Sequence, residues 1–126
     1  MASTDSQDEQ DVLAANRAFY EALNAKDLPA MDAVWARAAS VACVHPGWNV
    51  LAGREQVLAS WAAILGNPAQ PRVQSGAESA YLFGDVAYVI CRELVSGSPL
   101  AATNVFVRED GRWRLAHHHS SPVAVA

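Results

Sequence analysis

The segment 103–122, TNVFVREDGRWRLAHHHSSP, constrains the fold more than any other part of the chain. Two apolar-rich stretches flank Glu109-Asp110-Gly111, and a glycine after acidic residues favours a tight turn because it adopts positive φ without strain. The segment is therefore predicted to form a β-hairpin whose second arm carries three consecutive histidines. Neighbouring side chains of a strand point to opposite faces. His117 and His119 should then share one face while His118 takes the other, and at least one imidazole should be buried.

Composition and charge limit the class of protein. Of 126 residues, 52% are hydrophobic and 17% are charged, which is typical of one globular domain. The formal net charge of −4 disfavours nucleic acid as a partner. The N-terminal residues lack a basic stretch leading into an apolar run, and no apolar run approaches the ~20 residues that cross a bilayer. We therefore expect a cytoplasmic protein with neither a nucleic-acid nor a membrane partner.

The hydrophobic period changes once along the chain. Three amphipathic helices are predicted first: one that ends near Lys26, one that Asp27 caps, and one from Arg54 to Leu65. A short strand, Val41–His45, precedes the third helix. Four extended stretches follow, separated by turn-forming residues: 72–83, 86–95, 100–108 and 112–123.

This order of elements indicates an α+β fold in which three N-terminal helices pack on one face of an antiparallel sheet. Strands of about ten residues are long for a small domain. They should twist and curl strongly around the helices, leaving a pocket between the sheet and the helices. Residues 1–8 are expected to form a flexible polar tail, and residues 9–126 a single domain.

Several motifs, in this order, resemble the nuclear transport factor 2-like superfamily, particularly its SnoaL-like and ketosteroid isomerase-like branch. They are FYEALNAKDL at 19–28, VHP at 44–46, GREQV at 53–57, DGRWRL at 110–115 and HHHSSP at 117–122. The chain's ending also looks like that of the calcium/calmodulin-dependent kinase association domain, another member. The resemblance implies a cone-shaped fold whose open end is a pocket, usually in a homodimer. Members include isomerases, cyclases, dehydratases and binding or assembly domains, so the fold does not decide the function.

The resemblance to ketosteroid isomerase implies that most of the site residues have changed. That enzyme uses an aspartate base with a tyrosine and a protonated aspartate as oxyanion donors. The position of the base falls on His45. The donor tyrosine falls on Phe19, with Tyr20 one position on, and the donor aspartate falls on or beside Asn104. Because both oxyanion donors are replaced, classical ketosteroid isomerisation is not expected.

Aromatic residues complete the implied pocket. Two further pocket tyrosines of the isomerase fall on Trp35 and Trp61, at positions where helices would face the sheet. Trp48 follows Pro46-Gly47 and is placed at the pocket as well. Four tryptophans in a small domain are otherwise typical of a core.

Strand alternation, anchored on the resemblance, assigns one sheet face to the pocket. That face carries Tyr88, Ile90, Arg92, Leu94, Asn104, Phe106, Arg114, Ala116, His118 and Ser120. The reverse assignment puts Glu93, Thr103, His117 and His119 inside. Hydrophobicity does not choose, because in a sheet-on-sheet dimer both faces are partly buried, and we favour the first assignment. It leaves Trp113 and Leu115 on the outer face, where a twofold homodimer would bury them.

Four polar residues are candidates for chemistry or binding. Histidine titrates near neutral pH, so His45 is either a general base or a strand-end residue bonded to the backbone. His118 is either a second proton donor or acceptor, or a structural link between strands. Arg92 is expected either to pair with an internal carboxylate or to hold a ligand anion. Asn104 either donates to a ligand carbonyl or ties strands together.

Metal and nucleophilic chemistry are disfavoured. Zinc could use His45 with the C-terminal histidines if the first strand lies beside the last, but no carboxylate or thiolate stands in tight spacing with them. Cys43 is expected to be a small buried hydrophobe. Neither cysteine has a basic neighbour that would activate it, and no G-x-S-x-G motif occurs. We expect no metal and no cofactor.

Two functions remain open. The first is an isomerase, cyclase or dehydratase that acts by general acid–base chemistry on a small apolar or aromatic carbonyl compound, with His45 as the base. The second is a non-catalytic ligand-binding or homo-oligomerisation domain with the same pocket. Both need an apolar pocket, so the sequence does not separate them.

Overall fold

The computed structural model describes residues 4–124, with side chains described from residue 6 onward. Its helices are α1 (Thr4–Ala25), α2 (Leu28–Val34) and α3 (Arg54–Leu65). Its strands are β1 (Ala42–Val44), β2 (Leu51–Ala52), β3 (Val73–Phe83), β4 (Val86–Val95), β5 (Ser98–Glu109) and β6 (Arg112–Pro122). Within the described residues, no helix has the length and hydropathy that a membrane span requires.

The start of the first helix departs from the predicted tail. Residues 1–3 of that tail lie outside the described residues, whereas α1 already begins at Thr4. Asp8 is anchored to the last hairpin, because its Oδ2 lies 2.9 Å from Nη2 of Arg108. Helix α1 therefore includes residues 4–8, which the polar composition had assigned to the tail.

Local signals set the bounds of the other two helices. The carboxylate of Asp27 accepts a hydrogen bond from the N–H of Ala30 at 3.0 Å, and Pro29 occupies the first turn of α2. Gly53, with φ of 91°, precedes α3, and Gly66 follows it. The predicted α3 and the observed one coincide.

The sheet contains six strands in the order β2-β1-β6-β5-β4-β3 and is curved and unclosed. Strands β3 to β6 form the predicted antiparallel meander. Strand β1 adds to β6 in the parallel sense, pairing Ala42 with His117 and Val44 with His119, so the sheet is mixed. The short strand β2 was not predicted. Strand β1 thus carries the residues that follow it to the same end of the sheet as the histidine run.

The face assignment of β4 was wrong. A two-residue turn with positive φ at Ser96 (51°) and Gly97 (83°) joins β4 to β5 and pairs Val95 with Ser98. The sequence had placed the loop at 97–99, and a one-residue slip in register moves every side chain to the other face. The inner residues of β4 are therefore Ala87, Val89, Cys91 and Glu93, whereas Tyr88, Ile90, Arg92 and Leu94 face outward.

A β-bulge corrects the assignment of β6. Val105 pairs with His117 but Phe106 pairs with Leu115, so Ala116 is an extra residue in β6. Trp113 and Leu115 consequently turn inward and are buried in the core, on the same face as His118. The expected dimer contact through Trp113 and Leu115 is excluded.

Candidate functional site

A cavity of about 770 Å³ lies between the inner face of the sheet, α3 and the loop after β1. This volume falls in the range of small-molecule sites, roughly 300–1,000 Å³. Apolar side chains form much of its wall: Leu23, Ile64, Val73, Val95 and Leu100. Three titratable side chains also line it: His45, Glu93 and His118. An apolar space with a few convergent polar groups is the usual form of a ligand site.

His45 is fixed by a hydrogen bond to helix α3. Its ring is buried, and its Nε2 lies 2.9 Å from Oγ of Ser60. The Ser60 hydroxyl donates to the carbonyl of Val57 at 2.7 Å. Because its one hydrogen is used there, Oγ accepts from Nε2–H of His45, and the lone pair of the ring lies on Nδ1. The thiol of Cys43 lies 3.9 Å from Nδ1 and 3.7 Å from Nε2.

Two tryptophans enclose the His45 ring. The ring centroids of Trp48 and Trp61 lie 4.8 and 4.7 Å from that of His45, both in edge-on geometry. Burial among them lowers the pKa of His45 to about 4. The imidazole is therefore neutral at pH 7 and is present in its proton-accepting form. Trp48 is 49% exposed and forms the rim of the cavity.

His118, like His45, lies against the ring of Trp61, and it is fixed by Asn104. Its Nδ1 lies 2.6 Å from Oδ1 of Asn104. The Asn104 amide nitrogen donates to Oδ1 of Asn16 at 2.8 Å and to the hydroxyl of Tyr20 at 3.2 Å. The amide oxygen must then accept from Nδ1–H of His118, which leaves the lone pair on Nε2.

The free nitrogen of His118 belongs to the cavity wall. Nε2 has no hydrogen-bond partner among the described residues, and the residue lines the cavity. Burial, followed by the positive charges that His45, His117 and His119 can carry, lowers the pKa of His118 to about 3. The site thus holds two neutral imidazoles whose ring centroids lie 4.7 and 6.0 Å from that of Trp61.

A buried carboxylate was missed as a site residue. Glu93 is 4% exposed, lines the cavity, and accepts hydrogen bonds from the hydroxyls of Tyr20 at 2.6 Å and Ser120 at 2.5 Å. Burial, followed by the charges of Glu93 and Cys91, raises the pKa of Tyr20, so this phenol stays protonated. The sequence signal for Glu93 was the reverse face assignment. In that assignment Glu93 shares a face with the small or β-branched residues Ala87, Val89 and Cys91.

The structure brings part of the predicted site set together. His45, His118, Trp48 and Trp61 line the cavity. Four others lie directly behind this wall, in contact with residues that line it: Phe19, Tyr20, Asn104 and Ser120. Ser60 and Asn16, which hold His45 and Asn104, were not singled out, because their contacts join elements far apart in sequence.

The remaining predicted pocket residues lie elsewhere. Trp35 and Phe106 are fully buried in the core. Tyr88, Ile90 and Arg92 are on the outer face. Arg114 lies outside the cavity and donates to the Ala33 carbonyl at 2.6 Å. The exposed Arg92 neither reaches the cavity nor forms an ion pair with a described residue, so neither role considered for it applies.

The C-terminal histidines do not converge. His118 faces the cavity, whereas Nδ1–H of His117 donates to the Ala42 carbonyl at 3.0 Å and His119 is exposed. Among residues 4–124, no three His, Cys, Asp or Glu side chains are grouped as metal ligands. Both cysteines are free and buried, and burial raises the pKa of the Cys43 thiol to about 12.

Comparison with known proteins assigns the domain. The family model of the SnoaL-like domain matches residues 12–126. A candidate dehydratase of the nuclear transport factor 2-like family from Streptomyces avermitilis is 37% identical, with a TM-score of 0.87 over 97% of this chain and 100% of that one. A candidate calcium/calmodulin-dependent protein kinase type II association domain from Thiobacillus denitrificans is 38% identical, with a TM-score of 0.78 over 87% of this chain and 93% of that one.

A plant protein also contains a related region. The F-box protein SKIP8 of Arabidopsis thaliana is 28% identical over 116 residues, which is 90% of this chain. The chain spans 50% of the length of that curated relative.

Proposed function

The chain belongs to the SnoaL-like domain family, and we propose that it is an acid–base enzyme that eliminates water from a small apolar hydroxy-carbonyl compound. The observation that carries this proposal is the pair of neutral imidazoles, His45 and His118, that line one apolar cavity and each keep a lone pair free of strong hydrogen bonds. The candidate dehydratase, at 37% identity over the whole fold, supports elimination rather than isomerisation or cyclisation.

The chemistry assigned to His45 is proton transfer. Its Nδ1 takes a proton from the carbon beside the substrate carbonyl, and the electron pair left on that carbon forms a double bond as the β-hydroxyl departs. The imidazolium returns the same proton to the departing oxygen, so water and an α,β-unsaturated carbonyl compound are released and His45 is regenerated. His118 is a second acceptor on the neighbouring strand β6, and Asn104 is the positioning residue that holds it.

A non-catalytic ligand-binding or assembly domain is the second candidate. It is favoured by the 38% identity to a candidate kinase association domain, which is an assembly domain by name. The same cavity would then bind an apolar or aromatic ligand without converting it. Turnover separates the two candidates.

Self-association through the outer face of the sheet accompanies either function. That face exposes a cluster of large apolar side chains, named here the outer patch: Tyr81, Phe83, Val86, Tyr88 and Ile90. Within it, the rings of Tyr81 and Phe83 stack on Tyr88 at 4.9 and 5.8 Å. A contiguous apolar surface of this kind is typical of an interface, and we assign it to a second copy of the chain in a homodimer. Two free cysteines fit a reducing compartment, the cytoplasm.

The test uses histidine variants and a panel of aryl β-hydroxy ketones, whose dehydration is followed by the absorbance of the conjugated product. His45→Gln should lower kcat by roughly a hundredfold or more, the usual contribution of a general base. His118→Gln should lower it as well, whereas His119→Gln, an exposed histidine on the same strand, should stay within about twofold of the wild type. The matched aryl ketones that lack the β-hydroxyl group cannot eliminate water, and all three variants should still bind them. Wild-type protein that binds these ketones but converts none of the panel would establish the second candidate.

A further inference from the structure

Glu93 is a buried carboxyl group without a cationic partner among the described residues. Among the described residues, no Lys, Arg or His lies within salt-bridge distance of its carboxylate. Burial of an isolated carboxylate is costly unless hydrogen bonds replace the lost water. The hydroxyls of Tyr20 and Ser120 replace part of it, with one short bond to each carboxylate oxygen.

A hydrogen bond from Asn104 sets the orientation of the Tyr20 hydroxyl. Asn104 Nδ2 donates to the phenol oxygen at 3.2 Å, so the phenol hydrogen is directed to Oε2 of Glu93 at 2.6 Å. Burial and the neighbouring carboxylate keep that phenol protonated. Both neighbours therefore act as donors, and Glu93 acts only as an acceptor.

The carboxylate retains unused acceptor capacity at the cavity. An ionised carboxylate has about four lone-pair sites, of which described residues occupy two. The wall around it is apolar, with Val95 and Leu100 nearby in the lining. We infer that Glu93 selects the ligand: it accepts a hydrogen bond from a donor group, a hydroxyl or a protonated amine, on an otherwise apolar molecule and excludes carboxylates from the cavity.

The inference rests on the proposed function only in taking the cavity as the substrate site. A carboxylate that accepts the hydrogen of a hydroxyl increases the negative charge on that oxygen and makes its departure harder. The group that Glu93 binds is therefore one that stays on the ligand, distinct from the hydroxyl that leaves near His45. The substrate class narrows to apolar carbonyl compounds that carry a second donor.

Binding of four matched probes tests this assignment on the unmodified protein. The probes are naphthylmethanol, its methyl ether, naphthylmethylammonium and naphthoate, and binding is followed by calorimetry. A hydrogen bond to a charged acceptor predicts that the alcohol or the ammonium binds roughly tenfold or more tightly than the ether, and that naphthoate binds more weakly than the ether. Equal affinities for alcohol and ether, with the ammonium no tighter, would overturn the assignment. An alcohol preference identifies a hydroxyl ligand, and an ammonium preference identifies an amine.

Variants assign the preference to Glu93 itself. Glu93→Gln should bring the donor probes to within about threefold of the ether and improve the affinity for naphthoate. Glu78→Gln, a matched change at a carboxylate that binds Asn16 and Arg17 outside the cavity lining, should keep the wild-type order. If Glu93→Gln does not fold, Ser120→Ala serves instead, since it frees one acceptor site on Oε1 and should tighten donor probes relative to the ether. An unchanged order in the folded Glu93 variant, or an unchanged ratio of donor-probe to ether affinity in Ser120→Ala, overturns the inference. Because binding alone is measured, this result is independent of whether ketone dehydration is found.

Discussion

His118 and Asn104 are register partners on adjacent strands, joined by a 2.6 Å hydrogen bond from Nδ1 to Oδ1. Directly opposed residues of an antiparallel pair share a face, so the bond lies within the inner face of the sheet. The amide of Asn104 is held in turn by Asn16 of α1 and by Tyr20. One helix and two strands therefore determine which nitrogen of His118 meets the cavity.

Asn104→Asp should raise the pKa of His118 from about 3 toward its ordinary range. A carboxylate beside Nδ1–H stabilises the imidazolium, whereas the native amide oxygen is neutral. The ring proton resonances of His118, followed by NMR against pH, measure this change directly. The same variant loses the donation to Asn16 and Tyr20, and its free energy of unfolding should fall by about 1–3 kcal/mol.

The titration separates positioning from mere packing. A residue that only fills space would affect stability but would leave the His118 titration in place. Asn104→Leu provides that control, since it removes the hydrogen bond without adding charge. A His118 titration that is the same in Asn104→Asp and Asn104→Leu would mean that the hydrogen bond does not exist in solution.

Stability should decline on mild acidification. Both cavity histidines have an ordinary pKa of 6.5, lowered in the folded protein to about 4 for His45 and about 3 for His118. Between pH 6.5 and 4 the unfolded chain binds more protons than the folded one, so the free energy of unfolding falls as the pH is lowered. The slope should approach about 1.4 kcal/mol per pH unit for each histidine, and the stability is fully present above pH 6.5.

Urea unfolding between about pH 5 and 7 measures this slope. Asp32 and Glu109 also have lowered pKa values, owing chiefly to hydrogen bonds from Arg37, but their ordinary values of 3.8 and 4.5 put their contributions below this window. His118→Gln should reduce the slope by about half, whatever its effect on stability at pH 7. A wild-type stability that does not change across the window would contradict the burial of both rings.

Elements with local signals were predictable from the sequence. Helix α3 has its bounds at Arg54 and Leu65 because glycines stand on both sides and an apolar stripe runs between them. The hairpin of β5 and β6 was predictable for the same reason, since Asp110 and Gly111 take positive φ at the expected turn. Such features are determined by a few consecutive residues, so they can be predicted from the local sequence.

Register was not predictable in the same way. The choice between a turn at Ser96-Gly97 and a loop at 97–99 depends on how the finished strands twist and pair, and strict alternation cannot reveal a bulge at Ala116. These two one-residue effects decided whether Glu93 or Arg92 faces the cavity, and whether Leu115 is inside or outside. The location of His45 and His118 at the cavity was predictable from the sequence. The position of His45 follows from the order of the elements, and His118 lies beyond the bulge, where it still shares a face with Asn104 as predicted.

Leu115→Ala should lower the free energy of unfolding by about 2–5 kcal/mol, the cost of a cavity in a packed core. Leu115 is fully buried, although strict alternation along β6 would place it on the outer face. Val107→Ala is a milder comparison on the neighbouring strand, because Val107 is only partly buried. Equal and small losses for both variants, measured by urea unfolding, would mean that β6 has no bulge.

Ile90→Glu should convert a homodimer into a monomer. Ile90 is 44% exposed at the outer patch, and a twofold interface there would bury each introduced carboxylate in an apolar contact without a partner. Sedimentation at micromolar concentration should give a dimer for the wild type and a monomer for this variant. Phe83→Glu, within the same patch, should behave alike.

Val50→Glu is the matched control for the dimer prediction. Val50 is 56% exposed, comparable to Ile90, but it precedes β2 at the opposite edge of the sheet from β4 and β3. It should therefore leave the dimer intact, because the introduced charge remains in water. A wild-type chain that sediments as a monomer would remove the interface from the outer patch. Dissociation by Val50→Glu with a dimeric Ile90→Glu would move the interface to the other edge of the sheet.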